Sequence, residues 1–231
     1  MKKLFTLIGT VLLSVGVNAQ TTLKVESFRM GIGEQKTITL DLNNSDLTDA
    51  AAFCCDIVLP DGVEIAANEE GTYLFSVSDK DSRSTSSDLV IASAKQSDGA
   101  VRVVCFPKDA SAFAGTSGAI LNIPLVASDE LSRGSAEVKI VNQEITNTTG
   151  QNSVKPDTNS TDFLAFRRGD ANGDNGVGIG DVVAVINHMA DPNATITMPD
   201  ADANNDDDIG IGDVVAIINI MAGWTWDGKE K

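Results

Sequence analysis

The feature that most constrains this chain is a gap-free internal repeat near its C-terminus. Asp170–Ala190 aligns on Asp202–Ala222, and 15 of the 21 paired residues are identical. Self-similarity this close means two copies of one supersecondary unit, each too small to bury an apolar face by itself. The copies must therefore pack against each other.

Within each copy, oxygen-bearing side chains recur at one spacing. The first copy places Asp170, Asn172, Asp174 and Asp181 at positions 1, 3, 5 and 12 of a loop, with Gly176 offering a backbone carbonyl at position 7. The second places Asp202, Asn204, Asp206 and Asp213 likewise, with Asp208 offering the carbonyl. This is the spacing of a loop that wraps calcium, a hard cation that takes six to eight oxygens. Two calcium ions are the expected cofactors. Three positions depart from the common pattern. Position 6 is Asn175 or Asp207 rather than Gly, residue types that tolerate left-handed backbone. Position 9 is Gly178 or Gly210, which leaves that place to water. Position 12 is Asp rather than Glu, a shorter arm that needs a tighter loop. From Gly169 to Lys231 twelve acidic residues face two lysines, a net of −10. Divalent cations would offset that repulsion.

A helix is expected after each loop and none before it. Val182, Val185, Ile186 and Met189 form an apolar face at helical spacing, and Val214, Ile217, Ile218 and Met221 form its twin. Pro192 and Gly223 end the two helices. The twin faces are expected to pack on each other, and their folding to depend on metal.

The formal net charge of −16 over 231 residues excludes a nucleic-acid binder, which needs Lys and Arg for phosphates. It equally excludes an anionic membrane surface as a partner. Residues 1–19 read as a signal peptide: Lys2 and Lys3, an apolar run from Leu4 to Val17, and small Ala19 at the cleavage point. That run is too short for a membrane span. The expected location is extracellular or at the cell surface.

Residues 20–147 carry a different grammar. Ile38, Leu40 and Leu42 alternate with polar neighbours, as do Phe53, Cys55, Ile57 and Leu59. Further runs cover Asp88–Ala94, Ala100–Pro107, Gly118–Ala127 and Ala136–Ile145, each bounded by turn residues. The expected fold is an all-β sandwich, immunoglobulin- or jelly-roll-like, followed by a linker at 148–160 and a small α-helical duplicated calcium-loop module at 161–231. Of Cys54, Cys55 and Cys105, the last two continue inward-facing alternations. They read as two buried thiols, with a Cys55–Cys105 bridge as the alternative. His188 is the only histidine, and its repeat partner is Ile220. A Ser-His-Asp triad, a zinc site and a phosphate-cradling glycine loop all lack their residues, so no enzyme is expected.

The duplicated loop-plus-helix pattern of residues 169–222 resembles the type I dockerin module. The resemblance rests on the spacing, the duplication, Asp181 and Asp213 as last ligands, and the missing helix before each loop. It implies calcium-dependent docking to a cohesin-type domain, on another protein or another copy, within polysaccharide-degrading complexes. It also points to Ile179, Gly180, Ile211 and Gly212 as partner-binding residues. The segments Ala51–Val63, Ser97–Val104 and Phe113–Ile123 are similar to a cohesin-type sandwich. These resemblances imply a secreted, non-catalytic assembly or adaptor protein. The alternative is a carbohydrate-binding subunit, with polysaccharide as ligand, delivered by its docking module. Trp224 and Trp226 are expected to pack against Phe163 or Phe166.

Overall fold

The computed structural model describes residues 20–81, 83 and 89–229; the expected signal peptide lies outside the described residues. Among the described residues the β-rich part holds twelve strands: β1 (Thr22–Val25), β2 (Arg29–Gly31), β3 (Gln35–Asn43), β4 (Ala50–Val58), β5 (Val63–Ile65), β6 (Ser76–Val77), β7 (Leu89–Lys95), β8 (Val101–Pro107), β9 (Ala119–Ala127), β10 (Gly134–Asn147), β11 (Ser153–Val154) and β12 (Asn159–Phe166). Two helices follow, α1 (Ile179–Ala190) and α2 (Ile211–Met221). No helix among the described residues is long and apolar enough to cross a membrane.

The strands form two sheets. One runs β1-β3-β9-β5, with β6 also on β9; the other runs β2-β12-β10-β4-β8-β7, with β11 on β10. The pairings are antiparallel except β12 with β2. Period-two alternation decides which side chains face the shared core. Leu40 and Leu42 of β3, Phe53, Cys55 and Ile57 of β4, and Leu121, Ile123 and Leu125 of β9 are all buried in one cluster. The expected sandwich is therefore present.

All three cysteines are free thiols. Cys55 pairs across the ladder with Val103, and Cys105 with Phe53. The two thiols serve as small apolar core residues, and the alternative bridge is not formed.

The expected linker at 148–160 and module start at 161 need correction. Residues after β10 turn back so that Val154 pairs with Ile145 and Ser153 with Thr146. The chain then enters β12, which fills a full strand position between β10 and β2. Phe163 is buried there and stacks on Phe28 at 4.6 Å between ring centroids. The polar stretch around residue 150 is a hairpin turn on the sheet, and residues 161–166 belong to the sandwich.

After β12 only Arg167, Arg168 and Gly169 precede the first loop. Gly169 has φ +87°, and a Cβ there would lie 3.1 Å from Val177 Cγ1. Both the left-handed backbone and the close approach require glycine at this turn.

Candidate functional site

Each loop is closed by its last aspartate, which also caps the following helix. Asp181 Oδ1 accepts the Asn172 amide at 3.0 Å and Oδ2 accepts the Gly178 amide at 2.7 Å. Asp213 repeats this with the amides of Asn204 (3.1 Å) and Gly210 (2.8 Å). A carboxylate here meets otherwise unpaired amides at a helix N-terminus, where negative charge is favoured. The position-1 carboxylates are aimed by their own loops. Asp170 accepts the Gly173 and Asn175 amides, and Asp202 accepts those of Asp206 and Asp207. Asn172 and Asn204 each donate a side-chain amide to the position-5 aspartate, Asp174 or Asp206. Gly176 and Asp208 donate their backbone amides to the same aspartates. Asn175 and Asp207 sit at φ 69° and 65°, the left-handed conformation that position 6 demands.

The donor set fits a hard cation. Asp170, Asp181, Asp202 and Asp213 are each 4 % exposed or less. Among the described residues, Asp181, Asp202 and Asp213 meet no guanidinium or ammonium group. A buried carboxylate without a countercharge costs several kcal/mol, and calcium takes all-oxygen surroundings of this kind. Burial pushes the Asp213 carboxyl above the ordinary aspartate range, and the charges of Asp202 and Asp206 add to that rise. As the loops stand, these carboxylates turn onto loop amides, and no three His, Cys, Asp or Glu side chains among the described residues form a closed metal cage.

The helices divide their apolar residues between two faces. Val182, Val185, Val214 and Ile217 are buried together with Ala171, Ala201, Ala203 and Ala216. Ile186, Met189, Ile218 and Met221, expected to share that core, are instead exposed. Ile186 and Ile218 sit about 100° round the helix from Val185 and Ile217, and Met189 and Met221 lie one turn beyond those two, past the last buried residue of each helix. The outward residues continue a stripe through Ile179 and Val183 on α1, and through Ile211 and Val215 on α2, every member at least 45 % exposed. Gly180 and Gly212 lie under the loops. A Cβ would come within 2.9 Å of Asn172 Nδ2 at the first and 2.3 Å of Asn204 Nδ2 at the second. The atom met in each case is the far end of an Asn side chain, which can swing aside, so this approach does not by itself require glycine at either place.

Sequence reasoning missed how the sandwich holds the loops. Arg168 donates to both carboxylate oxygens of Glu34, at 2.5 and 3.1 Å, and to the Ala203 carbonyl at 3.1 Å. Its guanidinium carbon lies 5.1 Å from the Phe166 ring centre and 5.3 Å from that of Trp226. The expected contact of Trp226 with Phe166 is thus bridged by an arginine, whose charge favours both ring faces. Trp224 is largely exposed. Arg133, just before β10, pairs with Asp200 at 3.0 Å and with Asp170 at 3.4 Å. None of these pairs has a periodicity or motif that could have flagged it, since each joins residues far apart in sequence.

A groove of about 920 Å³ opens at one end of the sandwich, lined by Tyr73, Lys95 and several acidic side chains, among them Asp61, Glu64 and Asp98.

No family model matches the chain, and no curated protein matches it. Several solved structures do. A cohesin module from a Clostridium perfringens family 33 glycoside hydrolase is 11 % identical, covering 63 % of this chain and 94 % of its own, with a TM-score of 0.47. A non-cellulosomal cohesin from Archaeoglobus fulgidus is 17 % identical, covering 64 % and 91 %, at 0.48. The sixth cohesin of Acetivibrio cellulolyticus scaffoldin B, solved in complex with a Cel5 dockerin, is 14 % identical, covering 63 % and 98 %, at 0.49. The likeness is one of sandwich architecture over less than two thirds of this chain.

Proposed function

We propose that this chain is a non-catalytic assembly protein whose two C-terminal loops each hold a calcium ion and whose paired helices dock onto another protein. The observation that carries the reading is the duplicated stripe: Ile179, Val183, Ile186 and Met189 face solvent on one helix, and Ile211, Val215, Ile218 and Met221 on the other. Soluble proteins seldom leave a contiguous apolar surface of this kind without a use. Repetition of the same four positions in both copies makes an accidental patch a poor explanation. Asp170, Asn172, Asp174 and Asp181 would hold the first ion with the Gly176 carbonyl; Asp202, Asn204, Asp206 and Asp213 would hold the second with that of Asp208. Calcium would supply the countercharge that the buried carboxylates lack, and so set the helices that carry the stripe.

The resemblance of the loops to dockerins suggests a cohesin-type sandwich as the partner, on another protein or a second copy. The chain's own sandwich would be the corresponding receptor for a dockerin-type module. Export through a cleaved leader, and a setting in polysaccharide breakdown, belong to the same reading. A protein partner is favoured over a sugar because the large side chains left exposed are mainly aliphatic, whereas sugars want aromatic platforms.

Calorimetric titration of the whole chain with calcium tests the proposal. Two ions should bind, and the Asp181→Ala, Asp213→Ala double variant should bind neither. A wild-type chain with no calcium heat overturns the reading.

A further inference from the structure

We infer that Arg133, a residue of the sandwich, is a tethered counter-cation for the first loop and makes that loop the weaker of the two calcium sites. The inference rests on the calcium reading above. Arg133 Nε lies 3.0 Å from Asp200 Oδ1, and its Nη1 lies 3.4 Å from Asp170 Oδ2. Both carboxylates are buried, at 1 % and 0 % exposure. One sandwich side chain therefore partly neutralises the first ligand position of a loop that follows it by 37 residues.

The repeat supplies an internal control for what Arg133 does. Asp202 is the counterpart of Asp170 and is aimed in the same way, by two backbone amides of its own loop. Among the described residues, no cationic side chain pairs with it; Arg168, which donates to the neighbouring Ala203 carbonyl, has its charge paired with Glu34 instead. Loop amides alone thus suffice to aim a position-1 carboxylate. What Arg133 adds to the first loop is charge rather than aim. A guanidinium this close lowers the negative potential that draws a cation in. The loop sequences push the same way: the first twelve residues hold Asp170, Asp174 and Asp181, while the second hold Asp202, Asp206, Asp207, Asp208 and Asp213. The second loop fills first, and filling of the first loop is opposed through Arg133 by the sandwich.

Calcium titration of the whole chain by calorimetry should show two separate steps. Asp181→Asn should remove the weaker step and Asp213→Asn the tighter one. Arg133→Gln should tighten the weaker step by about tenfold and leave the tighter step unmoved. Arg133→Lys, which keeps the charge, should leave both steps near wild type. Two equal steps in the wild type overturn the inference and leave the calcium reading intact. An Arg133→Gln effect on both steps, or on neither, also overturns it. Should Arg133→Gln fail to fold because it leaves Asp200 buried and unpaired, Arg133→Gln with Asp200→Asn takes its place and must tighten the weaker step alone. No calcium binding in any variant sinks the underlying reading itself.

Discussion

Arg168 and Asp200 stand at equivalent places in the two repeats, each two residues ahead of its loop's first carboxylate, and they carry opposite charges. Each meets a sandwich residue of the opposite sign, Arg168 with Glu34 and Asp200 with Arg133. The duplicated module is thereby pinned at both loop entrances by a charge-swapped pair of contacts. The repeat keeps the same side-chain ligand positions in both loops and is unlike at the two points where it touches the rest of the chain.

Arg168→Ala should loosen the module from the sandwich. It removes two charge-assisted hydrogen bonds to Glu34 and a cation held near two rings, and the cost should be about 1–3 kcal/mol. Urea unfolding should register the loss, and limited proteolysis should begin cutting between Phe166 and Asp170. Unchanged stability together with full protease resistance would mean the contact contributes nothing.

Val183→Glu with Val215→Glu places a charge in the middle of each exposed stripe. Both sites are solvent-facing, so stability should change by no more than about 0.5 kcal/mol. Any calcium-dependent association, whether with a second copy or a cohesin-type domain, should be lost. Sedimentation velocity in calcium and in chelator reads this directly, and association that survives the double substitution removes the stripe from the interface.

Asn175 and Asp207 hold left-handed backbone without being glycine. Replacing both by Gly should stabilise the module, and replacing either by Val should destabilise it by about 1–2 kcal/mol. Thermal unfolding monitored by circular dichroism at 222 nm distinguishes the two directions.

Asp56 is buried on β4 and bound by the Arg102 fork at 2.6 and 2.7 Å, with Asn142 of the β10 irregularity donating at 2.8 Å. The Arg102 hydrogen bonds hold its carboxyl below the ordinary aspartate range, against the opposing effect of burial. A depressed pKa in the folded state gives stability that is present above the ordinary value and lost as the pH falls through the folded one. The loss should therefore appear only below about pH 4. Asp56→Asn should cost about 1–3 kcal/mol at neutral pH and should flatten the acid limb of a plot of urea midpoint against pH.

Burial pushes the Cys55 thiol far above its ordinary range and that of Cys105 up to about 12, and burial also raises the half-buried Cys54. At pH 7.5 a maleimide should label native chain slowly, and at Cys54 alone; in urea all three thiols should react quickly. Fast native labelling of Cys105 would mean that the β4–β8 ladder opens far more readily than its burial implies.

The loops and helices were legible because their chemistry recurs at fixed spacing within a short stretch, and the loop hydrogen bonds of Asp181 and Asp213 repeat each other as the alignment does. The sandwich was legible where alternation was clean, as along β3, β4 and β9. What stayed hidden depended on contacts between distant segments. β12 was hidden because its polar lead-in looks like a linker, and only pairing with β10 and β2 shows where Phe163 is buried. The helix faces were misjudged because helical spacing marks apolar residues without saying how wide the opposing surface is. The core stops at Val185 and Ile217, so Met189 and Met221 lie one turn past its end, and Ile186 and Ile218 stand to one side of it. The Arg133 and Arg168 contacts have no local signature at all.

The short run from Phe166 to Asp170 has a mechanical consequence. A tethered docking module sweeps out a volume and gains effective concentration from a flexible leash whose length can be tuned. Here the last strand of one sheet passes into the first loop in three residues, with a salt-bridged arginine among them. The apolar stripe is therefore carried as a bracket is carried by a wall. On the proposed docking role, a partner on the stripe would be held at a set angle to the sandwich, and an assembly built from such chains would take its geometry from the join itself.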